Sequence, residues 1–239
     1  MSLLPDATSL LLDGMSLLPD GVSLPSDGLL AYLPDLGQGL LVTLQLTAAS
    51  FLGAAVLGVL VTALRVAPVR VLRALGTAYV ETFQNLPLLV LLVLAIFGLP
   101  EIGIQGDIKL TVIVVIAVYE AAYIGEALRS GVNAVSKGQG EAARAIGLTF
   151  TQSMRHVILP QALRTVIQPL GNIFIATTMN TALAAAVSVV DLTGAANRVN
   201  LVEAQPIPIF VGAGAAYALI AAAAGFVTGR LERRLVILR

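Results

Sequence analysis

The chain has 239 residues, of which 57% are hydrophobic and only 12% are charged. A soluble domain carries about 25% charged residues, so this composition indicates a membrane protein. The 14 basic and 14 acidic residues give a net charge of zero. The chain has no cysteine, which excludes disulfides, thiolate redox chemistry and thiolate metal sites, and its single histidine excludes a histidine-rich metal site.

Residues 1–35 differ from the rest of the chain. The sequence MSLLPD occurs at 1–6 and again at 15–20, aspartates break the leucine runs, and no basic residue precedes them. The segment is therefore a poor signal peptide, and its repeat is too short for a repeat architecture. We expect residues 1–35 to be an extracytoplasmic tail, partly disordered or lying at the membrane surface, and residues 36–239 to be the membrane domain.

Uncharged runs in the rest of the chain predict five membrane-spanning helices. About 20 apolar residues cross the hydrocarbon core of a bilayer, and runs of that length recur between charged loops. A charged insert, residues 129–164, separates the third span from the fourth, and a polar loop at 191–208 precedes the fifth. The predicted fold is thus an all-α integral membrane domain with spans at residues 40–64, 75–99, 109–128, 165–190 and 207–229.

The placement of basic residues predicts the orientation of these helices. If the N-terminus is outside, only Lys109 and Arg198 fall outside, and the other twelve of the 14 basic residues fall inside. Membrane proteins concentrate basic residues in their cytoplasmic loops, so we predict an N-out, C-in arrangement with the charged insert in the cytoplasm. The twelve are Arg65, Arg70, Arg73, Arg129, Lys137, Arg144, Arg155, Arg164, Arg230, Arg233, Arg234 and Arg239.

Two glutamates near the cytoplasmic side are expected to form structural ion pairs. Glu81 lies near the start of the second predicted span and Glu126 near the end of the third. Each is close in sequence to an arginine, Arg73 in the first case and Arg129 in the second. Because an unpaired charge is costly in a membrane, pairing is the favoured interpretation.

The charged insert itself predicts two short helices. Residues 137–146 form an amphipathic stretch, and Gly147 is able to take the left-handed conformation that ends a helix. Thr149 or Thr151 is expected to cap a second helix that continues through His156, and Pro160 is expected to stop it. From these residues alone, an ordinary amphipathic loop at the membrane surface remains an alternative interpretation.

The spacing of residues in the insert resembles the EAA loop of ABC importer permeases. Glu-Ala-Ala at 141–143 is followed at fixed intervals by Gly147, Val157 and Leu159-Pro160. Further motifs resemble the polar amino acid subfamily of glutamate, glutamine and histidine type, and the resemblance covers residues 38–235. These motifs are AYVE at 78–81 with NLPL at 85–88, AAY at 121–123 with Glu126, Arg129 and Gly131, and PQALR at 160–164 with PLGN at 169–172.

This resemblance implies a multi-pass permease subunit in a bacterial cytoplasmic membrane, with the EAA coupling loop at about residues 131–160. In that family the loop docks on a separate ATPase subunit, which binds ATP and Mg. The other implied partners are a second permease of the same or a sister chain, an extracytoplasmic solute-binding protein and membrane lipid, but no nucleic acid. The implied coupling residues are Glu141, Ala142, Ala143, Gly147, Leu159 and Pro160.

The sequence also indicates what this chain does not do. It contains no G-x-x-x-x-G-K-[ST] phosphate loop. We therefore expect it to be a translocation subunit and not an enzyme, with no catalytic, cofactor-binding or metal-binding residues and with ATP hydrolysis on a partner chain.

Candidate residues for the solute pathway lie in the third and fourth predicted spans. Glu120 is an ionisable group deep in a span, which is costly in free energy. It is either a counter-charge for the α-ammonium of an amino acid, a gate residue, or a structural group that is protonated or paired to another helix. Thr177, Asn180 and Thr181 share one helical face, where such side chains either contact solute or connect helices.

The resemblance also suggests the transported solute. In that family Lys-Asp-Thr-Ser-Leu commonly stands where this chain has Met-Asn-Thr-Ala-Leu at 179–183. The acidic residue that accompanies basic substrates there is neutral here, at Asn180. Residues 188–196 are similar to glutamate-type permeases, which implies import of glutamate or a related amino acid. One observation disfavours an acidic solute, because no Lys or Arg lies inside a predicted span to bind its carboxylate.

Two other functions are considered for a chain of this pattern. The first is an ATP-independent channel or secondary transporter for a small polar solute. The odd number of predicted helices and the lack of an inverted repeat disfavour it. The second is a non-transporting membrane anchor that recruits a cytosolic partner through the insert, which the polar face of the fourth span disfavours.

Overall fold

The computed structural model describes residues 31–235, and the regular structure in that range is helical throughout. Two π-helical turns, Leu94–Gly98 and Met154–Ile158, and a 3-10 helix, Thr181–Val187, connect or extend the α-helices. The prediction for residues 1–35 lies almost entirely outside the described residues. In chain order the α-helices are α1 (Leu33–Val66), α2 (Arg70–Asn85), α3 (Leu88–Val93), α4 (Ile108–Ala134), α5 (Lys137–Ala145), α6 (Phe150–Ser153), α7 (Leu159–Asn180), α8 (Leu192–Glu203) and α9 (Pro206–Leu235), with one further turn at Leu99–Glu101.

Within residues 31–235, four helical segments are long and apolar enough to cross a membrane: Leu33–Val66, Ile108–Ala134, Phe150–Val187 and Pro206–Arg234. A fifth candidate is the pair Arg70–Asn85 and Leu88–Glu101, whose two helices are bent by 98°. The predicted all-helical membrane domain of five spans is thus confirmed if the bent pair counts as one span.

The second predicted span, residues 75–99, is not one straight helix. It is broken between α2 and α3, where Leu86 is extended with φ −100° and ψ 137°, and Pro87 begins the next helix. Proline lacks a backbone N–H and drives the residue before it out of the helical region. Pro87, which lies inside the predicted span, thus separates two helices that diverge sharply, and the span is a bent pair.

Helix α4 lies at the centre of the described bundle. Its residues Ile116 and Ile124 are buried against side chains of α1, including Leu46 and Ala54. Gly58 of α1 permits this close approach, since a Cβ placed there would lie 2.6 Å from Ile124. Small residues at helix interfaces bring membrane helices into close contact, and here they fix the position of the buried polar groups on α4.

The fourth span extends further than predicted, because the helix does not stop at Pro160. The segment from Phe150 to Val187 is helical throughout, with Pro160 in the first turn of α7 and Pro169 inside it. A proline is tolerated in the first helical turn because its missing N–H has no obligatory acceptor there. The π-helical turn Met154–Ile158 directly precedes it. The predicted stop at Pro160 was therefore wrong.

The predicted polar loop at 191–208 is largely helical, which corrects the sequence analysis. The 3-10 helix ends at Ser188, which has φ 69°, and Asp191 then caps α8 by accepting from the Gly194 N–H at 2.9 Å. Ala204 ends α8 in the left-handed region at φ 52°. Asp is a preferred N-cap residue, so Asp191 is the signal in the sequence for the start of α8.

Of the two predicted ion pairs, one forms. Glu126 pairs with Arg129 one turn later and also with Arg65 at the end of α1. Glu81 is exposed and has no ion pair within the part of the chain that the structure describes, because Arg73 donates instead to the carbonyls of the α1–α2 connection. The Glu126 pairing was predicted, and the Glu81 pairing was wrong.

Candidate functional sites

The first candidate site is the charged insert, where α5 and α6 meet at a tightly defined turn. Gly147 has φ 86°, its N–H donates to the Arg144 carbonyl at 2.9 Å, and the Leu148 N–H donates to the Ala143 carbonyl at 3.1 Å. These two bonds form a Schellman motif, which ends a helix at a left-handed residue. The predicted helix at 137–146 and its termination by Gly147 are confirmed.

The second helix of the insert begins at Thr149 and not at the alternative, Thr151. The Gln152 N–H donates to the Thr149 hydroxyl at 3.3 Å, and the Thr149 N–H donates to the Gln152 side chain at 2.9 Å. This reciprocal capping box satisfies backbone N–H groups that have no acceptor within the helix. The Schellman motif and the capping box are consecutive, so the turn between α5 and α6 is rigid.

The predicted coupling residues lie on two faces of α5, in the turn that follows it and at the start of α7. Ala143 is buried, and the neighbouring Gly140 faces the side chain of Ile158. Glu141 and Ala142 are exposed, as are Gly147, Leu159 and Pro160. Ala143 therefore holds the insert together, whereas the other five predicted residues are accessible from outside the chain.

Two exposed apolar side chains of the insert were missed by the sequence analysis. Ile146 is 77% exposed and Phe150 is 75% exposed, and they flank the turn at Gly147. Exposed apolar side chains beside a rigid turn are typical of a protein interface. The signal that identifies them in the sequence is an isolated aliphatic and an isolated aromatic residue inside a polar segment.

The second candidate site is a cavity of about 360 Å³ between α4 and α7. Glu120 of α4 is only 2% exposed, and its carboxylate accepts a hydrogen bond from the Asn180 side-chain amide at 2.7 Å. The hydroxyls of Tyr119 and Tyr123 lie 3.0 Å apart, and Asn172 also lines the cavity. The site thus combines one carboxylate with amides and hydroxyls, and none of its lining residues is Lys or Arg.

The structure brings Glu120 and Asn180 together but not the two threonines singled out with them. Thr177 and Thr181 are fully buried, and neither lines the cavity. Their hydroxyls donate to carbonyls of the same helical segment, those of Ile173 and Thr178, at 2.8 and 2.7 Å. Of the three residues predicted to share one helical face, Asn180 therefore faces the cavity, whereas Thr177 and Thr181 are packed inside the bundle.

A third polar group, around Asp191, connects three helices. Asp191 is completely buried and accepts from the hydroxyl of Tyr217 on α9 at 2.9 Å and from that of Thr43 on α1 at 3.4 Å. Burial raises the pKa of the Asp191 carboxyl, although the hydrogen bonds from Gly194 and Tyr217 act in the opposite direction. The Thr43 hydroxyl also accepts from the Leu192 N–H at 3.0 Å. This network fixes the start of α8, and none of its residues lines the Glu120 cavity.

Residues 31–235 contain no cluster of His, Asp and Glu side chains that could hold a metal ion. What the described residues do contain is a bundle of apolar helices, a polar cavity inside it, and a rigid polar insert carrying exposed apolar groups. This combination defines a multi-pass membrane transport component. The chain belongs to the family described as the binding-protein-dependent transport system inner membrane component, whose sequence pattern matches residues 32–237.

Named relatives agree with this assignment. The chain is 42% identical over 172 residues to the glutamate transport system permease protein GluC of Corynebacterium efficiens, covering 65% of this chain and 75% of that protein. It is 37% identical over 193 residues to the probable glutamine ABC transporter permease protein GlnM of Bacillus subtilis, covering 81% and 89%.

Solved structures agree on the fold. The chain matches a crystal structure of an amino acid ABC transporter with histidines at a TM-score of 0.82 and 29% identity, over 86% of this chain and 96% of that one. A chain of the MetNI methionine ABC transporter in an inward-facing conformation has the same fold, with a TM-score of 0.73 over 86% and 98% of the two chains and 22% identity.

Proposed function

We propose that this chain is the permease subunit through which an ABC importer moves glutamate or a related amino acid into the cytoplasm. ATP hydrolysis takes place on separate ATPase subunits that dock on the charged insert. The permease works as a dimer, with itself or with a sister chain, and receives its solute from an extracytoplasmic binding protein. The rigid turn around Gly147, with exposed side chains on both sides, is the observation that carries this proposal.

The geometry of the insert supports its role in coupling. A coupling element has to transmit displacement of a partner without deforming, and the Schellman motif and capping box around Gly147 supply that stiffness. The insert also continues without a break into α7, the helix that lines the cavity through Asn172 and Asn180. Movement of the docked ATPase would thus reach the cavity along one helical segment.

The proposed solute, glutamate or a related amino acid, is inferred from the residues that line the cavity and from the names of the relatives. Two relatives are named for glutamate and glutamine, and Asn180 gives the cavity a neutral amide where a second carboxylate would favour a basic solute. In this proposal the Glu120 carboxylate binds the α-ammonium of the amino acid. Its carboxylates bind the amides of Asn172 and Asn180 and the hydroxyls of Tyr119 and Tyr123, which all line the cavity.

Competition for transport tests the proposed solute. The permease is reconstituted in vesicles with its ATPase and binding protein, and uptake of labelled glutamate is measured against unlabelled glutamine, aspartate and arginine. We expect glutamate and its close relatives to compete and arginine not to compete. If arginine alone competed, the interpretation of Asn180 would be wrong, and uptake that continued without ATP would contradict the ABC mechanism itself.

A further inference from the structure

An apolar groove of about 490 Å³ lies beside the charged insert, away from the Glu120 cavity. Its walls are the last turns of α1, the end of α4, and the segment from α6 to the start of α7. Its lining is almost entirely apolar and includes Val59, Val66, Val132 and Leu163, with Phe150 of the insert at its edge. The groove therefore connects a membrane-spanning helix with the insert.

The interior of this groove offers no unpaired polar group. Thr62 is the one polar side chain that lines it, and its hydroxyl donates to the Gly58 carbonyl at 2.7 Å and lies 3.2 Å from the Gly125 carbonyl. A peptide segment placed there would bury backbone N–H and C=O groups without partners, which is costly in an apolar setting. The chemistry of the interior thus matches a hydrocarbon chain better than a polypeptide.

One end of the groove carries positive charge. The Arg73 guanidinium donates to the carbonyls of Ala67 and Pro68 at 2.8 and 3.1 Å, and both of those residues line the groove. Arg70 is exposed at the start of the same helix. Neither arginine has an ion pair with a carboxylate in residues 31–235, so the rim keeps a net positive charge.

We propose that this groove is a binding site for one anionic phospholipid. An acyl chain occupies the apolar interior, and the phosphate group lies at the rim beside Arg73 and Arg70. Basic side chains near a membrane surface attract anionic lipids, and a groove at the end of a membrane-spanning helix lies where headgroups and acyl chains meet. The bound lipid contacts both α1 and the helix that continues from the insert. This site does not depend on the proposed transport function.

Fluorescence quenching tests the proposal, because the chain contains no tryptophan. Met154, which lines the groove, is replaced to give Met154→Trp, and the full chain is reconstituted in phosphatidylcholine vesicles. Two preparations are compared, one with brominated phosphatidylglycerol and one with brominated phosphatidylcholine, each at the same small fraction of the total lipid. We expect stronger quenching by the phosphatidylglycerol. We also expect Arg73→Gln to lower the relative affinity for it about fivefold, since the glutamine amide retains N–H donors but lacks the charge.

Matched controls separate this site from general lipid contact. Leu219→Trp places the reporter on an exposed position of α9 that is 71% accessible, and both brominated lipids should quench it equally. Arg230→Gln removes a charge that stacks on the Phe226 ring at 4.5 Å, and it should leave the preference at Met154→Trp unchanged. Leu159→Trp, also in the groove, repeats the measurement if the first variant does not fold.

Three results would overturn the proposal. Equal quenching of the groove reporters by the two brominated lipids would show that headgroup charge has no part in binding. Absence of quenching at both groove reporters, with normal quenching at Leu219→Trp, would show that lipid does not enter. An unchanged preference for brominated phosphatidylglycerol in Arg73→Gln would show that the charge at the rim does not bind the phosphate group.

Discussion

Glu120 and Asn180 show what a single pair of residues contributes to the candidate pathway. A carboxylate that is 2% exposed needs a partner, and the Asn180 amide supplies one at 2.7 Å across two helices. The amide satisfies only part of the hydrogen-bonding capacity of the carboxylate, since an ionised carboxylate accepts from several donors. The remaining capacity faces the cavity, where the α-ammonium of the proposed solute would be the next partner.

Glu120→Gln should therefore impair transport more than folding. Loss of a charged hydrogen-bond partner costs about 1.5–3 kcal/mol, which corresponds to a rise in KM of roughly tenfold or more. The measurement is the concentration dependence of uptake in reconstituted vesicles. Glu81→Gln, at an exposed glutamate without an ion pair in residues 31–235, is the control that should leave KM unchanged. Equal KM values for Glu120→Gln and wild type would assign Glu120 a structural role.

Asp191 and Asp107 cap helices in different environments, which predicts different costs of removal. Asp107 accepts from the Leu110 N–H at 2.9 Å on the exposed end of α4, so Asp107→Ala should cost about 1 kcal/mol. Asp191→Ala also removes the acceptor of the buried Thr43 hydroxyl and leaves the Tyr217 hydroxyl only Thr193, 3.0 Å away, which adds about 1–3 kcal/mol. Thermal unfolding in detergent should show the larger loss for Asp191→Ala. Equal shifts in the unfolding midpoint would contradict the network.

At the scale of elements, the insert is built as two short helices locked to each other and to a long span. Gly140 and Ala143 are small and let α5 pack against the π-helical turn at Ile158. Exposed groups then occupy the outer side, among them Ile146 and Phe150. The element thus separates residues that hold it together from residues available to a partner.

Ile146→Asp and Phe150→Asp should weaken docking of the ATPase subunit. Buried apolar anchors at protein interfaces contribute about 2 kcal/mol or more each, so each change should raise the dissociation constant by about thirtyfold. The measurement is binding of the purified ATPase to the permease in lipid nanodiscs. Leu201→Asp makes the same change at a position on α8 that is 85% exposed, and it should leave binding intact. Unchanged binding in both insert variants would show that Ile146 and Phe150 are not part of the interface with the ATPase.

Prolines illustrate which elements local rules predict and which they do not. The end of α5 at Gly147 and the cap of α6 follow from backbone preferences of single residues. The sequence predicted the first, and it offered Thr149 as one of two candidates for the second. Pro87 breaks a predicted span and Pro160 fails to break one, although both are prolines in apolar surroundings. At Pro87 the local rule holds, since Leu86 is extended. At Pro160 it does not, because the π-helical turn Met154–Ile158 leads directly into α7 and the proline lies in its first turn.

At the scale of the molecule, the sequence predicts which residues are unusual but not which of them meet. Glu120 and Asn180 are identifiable as polar groups in apolar spans, yet they are 60 residues apart and only the fold pairs them. Asp191 and Tyr217, 26 residues apart, were not recognised as partners for the same reason. Both pairings join different helices, so they depend on how the whole bundle packs.

The orientation of the molecule remains a prediction of the basic-residue count, and the absence of cysteine makes it directly measurable. Ala142→Cys places a thiol on the exposed side of the insert, and Leu201→Cys places one on exposed α8. In intact cells a membrane-impermeant thiol reagent should label Leu201→Cys and not Ala142→Cys. The opposite pattern would reverse the predicted orientation and exclude docking of a cytoplasmic ATPase on the insert.

The central claim is that the insert transmits ATP hydrolysis on another chain to solute movement, and the ratio of uptake to hydrolysis measures it most directly. Gly147→Val forces a β-branched residue to φ 86°, which costs about 1–3 kcal/mol, and Glu141→Lys reverses an exposed charge. Both variants should lose most uptake per ATP hydrolysed by the reconstituted transporter while still inserting in the membrane. Gly140→Ala, in the same helix with its Cβ at ordinary contact distance of 3.9 Å, should retain the wild-type ratio. A wild-type ratio in Gly147→Val and Glu141→Lys would contradict the assignment of the insert as the coupling element.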